Sequence, residues 1–361
     1  MVNYNASFWA GTIYTSSDEY LTKWFVYISG ENIELAKAEV DTLLKMANVD
    51  SSIHWFGRLA IIETDFNISD FILNRAALTQ RAGRVLYKLE SIGNLPEGEL
   101  VDSWREIIDS KTTFSVKTLC VNVNIESKKR EKIEISLGTQ IQRTTGASVN
   151  LRNAAIQILA ILVDEHVFIC QSKESILRSN LRNREPSKKP FFHPSMMNSS
   201  LARVMCNLAE VQPGNIVLDP FCGGGGILCE ASYLGASVIG LDLNWKLLTG
   251  AKRNLTAINQ NYCILQADAR HIPISYVDSI VTDPPYGRSS STRGFESIRL
   301  AERLLERIDS LIHLRKGRVC VCGNMEMNLP QLVEDNGFQV GYDIKIRVHS
   351  GLVREVVTIK C

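Results

Sequence analysis

From about residue 195 to its end, the sequence alternates short apolar runs with amphipathic stretches, and this alternation limits the fold more than any other feature. The runs are NIVLD, SVIGLD, YCILQ, SIVTD and RVCVCG. They are apolar throughout rather than at every second position, the pattern of strands covered on both faces. Between them, ILCEASYLG, WKLLTGAKRNLTAI and FESIRLAERLLERIDSLIHL have helical character. Strict alternation of this kind predicts an α/β fold with a doubly wound, mostly parallel sheet. The closing segments FQVGYDIKIRVH and LVREVVTIK are two long strands with no helix between them, so an antiparallel terminal hairpin is expected.

A chain of 361 residues exceeds what one core usually organises, and two or three domains are expected. Residues 1–90 follow strand, helix, strand, helix: KWFVYIS, NIELAKAEVDTLLKMA behind an Asn cap, LAIIET, and ISDFILNRAALTQRAGRVL. That order predicts a small α+β unit of ferredoxin-like type. Residues 91–175 contain the strand TLCVNVNI, a polar turn ESKKREK, a helix around EISLGTQIQRTTG, and a long apolar stretch turning at VDEH. Residues 176–194 carry three prolines in NREPSKKPFFHPS and are expected to be a linker into a domain spanning 195–361.

Hydrophobic content of 45% and charged content of 22% suit a globular protein, and no apolar run reaches the ~18–20 residues of a membrane span. The first residues lack a basic stretch ahead of an apolar core, so no signal peptide is expected, and the Asn-x-Ser/Thr sites at Asn67 and Asn254 count as chance. Nine cysteines with no Cys-x-x-Cys fit reduced, buried thiols in a cytoplasmic protein; no metal is expected. The net charge of +1 conceals a basic stretch. Arg178, Arg182, Arg184, Lys188 and Lys189 stand close together before the alternating half, and Lys128-Lys129-Arg130 forms a second cluster. Such clusters suit a polyanion, although many are only solvated surface.

Two motifs carry chemistry. VLDPFCGGGGILCEA is strand, acid, glycine-rich turn and helix, placed where parallel sheets bind ligands through backbone amides. Gly223 to Gly226 does not fit the dinucleotide fingerprint, because Leu228 takes its sixth position, and no Gly-Lys-Ser/Thr follows. Asp242 at the next strand tip suits acceptance from ribose hydroxyls, and Asp268 at the third suits an adenine amino group. A strand-end aspartate serves equally as a helix N-cap. The fourth strand ends in Asp283-Pro284-Pro285-Tyr286: an acceptor, a rigid bend without backbone donors, and a flat ring.

With each motif on its own strand end, residues 195–361 resemble a Rossmann-like class I S-adenosylmethionine-dependent methyltransferase acting on exocyclic amines. DPFCGGGG resembles the first motif of that superfamily and DPPY its catalytic motif. PFFHPSMMNSSLARVMCNLA, TDPPYGRSS and the tail RVHSGLVREVV resemble the archaeal and eukaryotic tRNA guanosine-10 N2-methyltransferases. VNLRNAAIQILAILVDEHVFICQ resembles the end of a THUMP RNA-binding domain, which the resemblance places over 91–175, behind the ferredoxin-like unit. The sequence departs from the family at Gly224, where the family usually has Thr.

The resemblance implies S-adenosylmethionine as cofactor and tRNA as partner. It assigns Gly223 and Gly225, with Pro220 and Phe221, to the methionine part and places Asp219 behind them. Asp242 and Leu243 fall to the ribose side, Asp268 and Ala269 to the adenine, and Pro194 to the segment leading into the first helix. Asp283, Pro284, Pro285 and Tyr286 are the catalytic set, Tyr286 as the stacking ring for a flipped guanine. The basic residues named above, except the second cluster, are candidate RNA contacts together with Arg288. GRSSSTRG, Gly287 to Gly294, fits a lid or a plain surface loop. N2-methyl- and N2,N2-dimethylguanosine at position 10 are the expected products. A small zinc-binding activator, needed by eukaryotic relatives, is a candidate protein partner. The competing readings are an N2-guanine methyltransferase for another tRNA position or ribosomal RNA, a DNA amino-methyltransferase, and a non-catalytic RNA-binding protein.

Overall fold

The computed structural model describes residues 22–89, 100–258, 260–285, 294–312, 318–349 and 352–360. The chain divides into two compact units. One comprises residues up to Gly30, Val49–Asn74 and Thr79–Ser175; the other comprises Glu31–Asn48, Arg75–Leu78 and everything from Ile176.

The first unit holds one eight-stranded sheet. Its strands are β1 (Lys23–Ile28), β2 (Ser52–Phe56), β3 (Leu59–Glu63), β4 (Thr79–Leu89), β5 (Thr113–Val121), β6 (Ser148–Val149), β7 (Ile156–Val163) and β8 (His166–Glu174). Across the sheet they run β2-β3-β1-β4-β8-β7-β5-β6. Of the first four helices, α1 (Ile33–Met46) belongs to the second unit, whereas α2 (Ile68–Arg75), α3 (Leu100–Ile107) and α4 (Ser127–Thr145) accompany this sheet. The apolar run of β7 is explained by two cores. Ile158, Ala160 and Leu162 pack with Trp104, Phe114 and Leu137, while Leu159, Ile161 and Val163 pack with Phe25, Leu59 and Phe168. Alternate side chains point to opposite faces, and both faces are covered.

Two local expectations differ from the structure. ISDFILNRAALTQRAGRVL is not one helix: α2 ends at Arg75, and Thr79 onward is β4, paired with β1 on one side and β8 on the other. A Cβ at Gly83 would lie 1.9 Å from the Gln171 carbonyl oxygen, so the strands meet there only because Gly83 lacks one. Pairing along both edges overrides the helical spacing. ESKKREK is not a turn but the start of α4, whose buried stripe is Ile133, Leu137 and Ile141. Lys, Glu and Arg are good helix formers, and their charge density imitates a loop.

The second unit carries the alternating half. Its strands are β9 (Ile216–Asp219), β10 (Ser237–Asp242), β11 (Tyr262–Gln266), β12 (Ser279–Thr282), β13 (Arg318–Asn324), β14 (Gln339–His349) and β15 (Leu352–Lys360). The order is β11-β10-β9-β12-β13-β15-β14. β9 to β13 are mutually parallel, and β15 runs antiparallel to both β13 and β14, so the mixed α/β sheet with its terminal hairpin is as expected. The helices are α5 (Ile176–Asn183), α6 (Ser199–Leu208), α7 (Gly226–Tyr233), α8 (Trp245–Thr256), α9 (Gly294–Leu305), α10 (Ile308–Leu311) and α11 (Leu329–Asp335). Within the stretch expected to link the domains, α5 and a short 3-10 turn at Pro186–Lys188 are formed.

Helix α1 starts at its Asn32 cap, whose side chain accepts from the Leu35 amide at 2.8 Å. Its fully buried Glu39 accepts from the amides of Ala77 (2.8 Å) and Leu78 (2.9 Å) and from Asn207 Nδ2 (2.7 Å) on α6. Burial raises the Glu39 pKa, while those three hydrogen bonds and the charge of Arg203 pull it back. Beneath α6, Arg203 and Arg184 both meet the buried Glu230 carboxylate. Replacing Glu39 by Ala leaves the buried Ala77 and Leu78 amides without an acceptor and Asn207 Nδ2 with the Arg75 carbonyl alone. A loss of roughly 3 kcal/mol is expected, read as a lower urea midpoint.

Candidate active site

β9 delivers Asp219 to the carboxyl edge of the sheet, and the chain then turns through Pro220 to Gly225 into α7. Gly223 (φ 50°) and Gly225 (φ 79°) adopt left-handed backbone, which glycine takes without strain. The Gly225 amide closes the turn onto the Cys222 carbonyl at 2.7 Å, and the Gly223 amide is held by Asp242 Oδ2 at 3.0 Å. Nothing stands within 4 Å of the place a Gly223 Cβ would occupy, so the loop backbone faces open space.

The strand-end acids differ in their partners. Asp219 is buried, and its Oδ1 accepts from Thr282 Oγ1 at 2.7 Å and the Phe221 amide at 3.1 Å. Burial pushes its pKa up to about 7; the Thr282 and Phe221 hydrogen bonds oppose the rise, and the Asp283 and Asp242 charges add to it. Asp242 holds the glycine loop with one oxygen and the Asn244 amide with the other, at 2.7 Å. Asp268 is gripped by the Arg270 guanidinium at 2.6–3.0 Å, which holds its carboxyl below the usual range, with Ala269 buried beside it. Leu243 is 63% exposed next to Asp242.

Asp283 follows β12 directly, with Pro284 buried and Pro285 half-buried. Arg354 Nη2 on β15 stands 3.7 Å from Asp283 Oδ2. The buried thiol of Cys322 on β13 is hydrogen-bonded to the same carboxylate, and burial together with the Asp283 charge keeps it protonated by pushing its pKa far up. Tyr286 and Arg288, with the rest of 286–293, lie outside the described residues.

One wall of the site comes from the segment before α6. Asn254 on α8, 2% exposed, accepts from the Phe191 amide at 2.8 Å. Its Nδ2 donates to the Phe191 and Gly224 carbonyls, each at 3.0 Å. One amide side chain thus pins both the Phe191–Met197 segment and the glycine loop. A Cβ at Gly224 would lie 2.6 Å from the Met196 sulfur, so Met196 fills the space beside this glycine that a larger residue would need. Pro194 is exposed in this segment. Arg184, Lys188 and Lys189 line one small cleft with Tyr233, over whose ring Arg184 stacks at 3.9 Å. Arg178 and Arg182 lie outside that cleft, Arg178 being 3.9 Å from Glu31.

The family profile described as RMKL-like, methyltransferase domain, matches residues 186–355, and one described as DNA methylase matches 99–253. A tRNA (guanine(10)-N2)-dimethyltransferase of Pyrococcus abyssi is 30% identical over 92% of this chain and 97% of its own length. The enzyme of the same name from Methanothermobacter thermautotrophicus is 29% identical over 93% and 98%. The chain belongs to the tRNA (guanine(10)-N2)-dimethyltransferase family. Its fold is also that of TrmN from Thermus thermophilus, with a TM-score of 0.56, 20% identity and coverage of 94% and 99%. A putative methyltransferase complexed with SAH has a TM-score of 0.55, 12% identity and coverage of 95% and 99%.

S-adenosylmethionine, the cofactor of this family, fits the residues present. The left-handed glycine turn opens onto free space at Gly223, with carboxylates at two adjacent strand tips for ribose and adenine donors. Gly223, Gly225, Asp242, Leu243 and Ala269 are the residues that would hold it. Asp268 would have to share its carboxylate with Arg270. Asn254 and Cys322 were not candidates from the sequence, since neither stands in a short motif with a recognisable chemistry, and Met196 and Thr282 stand in quoted motifs without a role of their own. Asn254 even sits in an Asn-x-Thr site. Among the described residues, no group of three His, Cys, Asp or Glu side chains could hold a metal ion.

Two outcomes follow from this geometry. Folded Asp219 keeps its proton up to about pH 7, whereas an unfolded aspartate releases it near pH ~4. Its contribution to stability is therefore complete below pH ~4 and is lost as pH rises to about 7. The isostere Asp219→Asn should remove that component, so urea midpoints at pH 5 and pH 8 differ less than in the wild type. Asn254→Ala leaves the Phe191 amide and two carbonyls without their partner, and SAH affinity measured by calorimetry should fall about tenfold or more.

Proposed function

We propose that this chain methylates N2 of a guanosine in tRNA, at position 10, with S-adenosylmethionine as donor. The observation that carries this reading is the position of Asp283-Pro284-Pro285. They follow the strand next to the glycine loop, and Thr282 of that strand is bonded to Asp219 of the loop strand. The bound cofactor supplies a sulfonium methyl group, an excellent donor that needs little activation. The difficulty lies with the guanine amine, whose lone pair is delocalised into the ring.

The Asp283 carboxylate and the Pro284 carbonyl accept the two amine hydrogens. This turns the nitrogen lone pair toward the methyl group and stabilises positive charge as it develops. The nitrogen lone pair would take the methyl group from the cofactor, which keeps the S–C pair as a neutral thioether, while one amine proton would pass to Asp283 and then to water. Tyr286 stacks on the base once it has left its helix, a contact worth about 1–3 kcal/mol.

The division of labour along the chain follows the same reading. Residues 1–90 form the ferredoxin-like part, 91–175 the THUMP part, 176–194 the linker and 195–361 the methyltransferase domain. The pairing of β4 with β8 makes one sheet of the first two, a broad platform for RNA. Arg178, Arg182, Arg184, Lys188, Lys189 and Arg288 contact the RNA backbone, with Arg182 and Lys188 the most open to it in the described structure. A small zinc-binding activator is a candidate partner. No described helix is long and apolar enough to cross a membrane, and a cytoplasmic setting suits the described cysteines, which form no disulfide.

Asp283→Ala should abolish methyl transfer to unmodified tRNA while SAH affinity stays within a few fold. Digestion and mass spectrometry of the product should show N2-methylated guanosine, absent when position 10 is not guanosine. Methyl transfer to adenine or cytosine in DNA, or turnover by Asp283→Ala at the wild-type rate, would overturn the proposal.

A further inference from the structure

We infer that Arg354, on the terminal hairpin, is the positioning residue for the Asp283 carboxylate, with Cys322 as its second support. The inference rests on the assignment of Asp283 to the methyl-transfer step. Three neighbouring strands bring the groups together. β12 pairs in parallel with β13, Thr282 opposite Val321, so the chain beyond Thr282 continues alongside Cys322. β15 pairs antiparallel with β13, Asn324 opposite Arg354. An antiparallel strand brings its first residues to the edge where the parallel strands end. Arg354 therefore arrives beside Asp283 although 71 residues separate them in sequence (354 − 283).

The side chains are 17% and 16% exposed, so bulk water and salt screen their attraction only in part. Asp283 stands at an acidic edge. Asp219 on β9 feels the charges of both Asp283 and Asp242, and Arg354 is a cation that faces Asp283, with Cys322 a neutral thiol donor. A carboxylate desolvated among other acids tends to protonate or turn toward water. Protonated, it presents a donor where the amine needs an acceptor. The guanidinium charge faces the carboxylate and the thiol donates to it, which favours one orientation and leaves an oxygen edge for the amine hydrogens.

The test compares Arg354→Gln, Arg354→Lys, Cys322→Ala and Asp283→Ala, reading kcat, KM for RNA and SAH affinity by calorimetry. Arg354→Gln should lower kcat roughly 10–100-fold, the size of loss found when an outer partner that orients a metal-ligating residue is removed. SAH affinity should stay within about threefold, and Arg354→Lys should recover much of the loss by restoring the charge. The acid limb of the kcat–pH profile should move upward in Arg354→Gln. Should that variant not fold, Arg354→Lys and Cys322→Ala carry the test, each lowering kcat several-fold at unchanged SAH affinity. Arg354→Gln with kcat within twofold of wild type, beside an inactive Asp283→Ala, overturns the inference and leaves the function standing. Equal losses of kcat and SAH affinity, unrelieved by Lys, mark a structural role and overturn it too. An active Asp283→Ala overturns the function itself.

Discussion

The carboxyl edge of the parallel sheet gathers four aspartates, and the arrangement of the site follows from how each is compensated. Asp219 is buried, and hydroxyl and amide donors meet it from β12 and from its own turn. Asp242 receives the Gly223 amide of the glycine loop and the Asn244 amide ahead of α8. Asp268 is clasped by Arg270, and Asp283 faces Arg354 and Cys322. Like charges placed so close raise one another's pKa unless donors or cations intervene. Asp219, with the least water, retains its proton nearly to neutrality, whereas Asp268, with a bidentate arginine, stays ionised.

These compensations join the sheet together as well as tuning it. The Thr282–Asp219 bond ties β9, which leads into the glycine loop, to β12, which leads into Asp283. Asn254 does the same between α8, the glycine loop and the segment at Phe191. The terminal hairpin lies on the far side of β13 and still supplies a cation to the site, because its strand order reverses direction. Groups that must be placed to within a fraction of an ångström are held by packed elements rather than by the loops that bear them.

Much of this was open to sequence reasoning where the physics is local. The five apolar runs fix parallel strands, because a strand covered on both faces has no polar alternation to show. The glycine turn and the proline pair are equally plain, since left-handed backbone and missing donors demand those residue types. Periodicity failed at β4, where sheet pairing on two sides outweighed a helical pattern, and at the start of α4, where a charged helix end imitates a turn. It also could not assign α1 to the second unit. That helix lies between two strands of the first sheet in sequence, and its place shows in the burial of Glu39 against Ala77, Leu78 and Asn207 and in the contacts of Asn32 and Lys45 with β14.

The sequence by itself determined the sheet class, the strand tips that bear acids, and the acceptor and rigid, donor-free bend of Asp283-Pro284-Pro285. Those properties depend on residue type and near neighbours. Tertiary structure alone decided which acid keeps a proton, which is claimed by an arginine, and that Arg354, Cys322, Asn254 and Met196 belong to the site. Each of those outcomes depends on burial and on partners distant in the chain, and neither is written in any short stretch of residues.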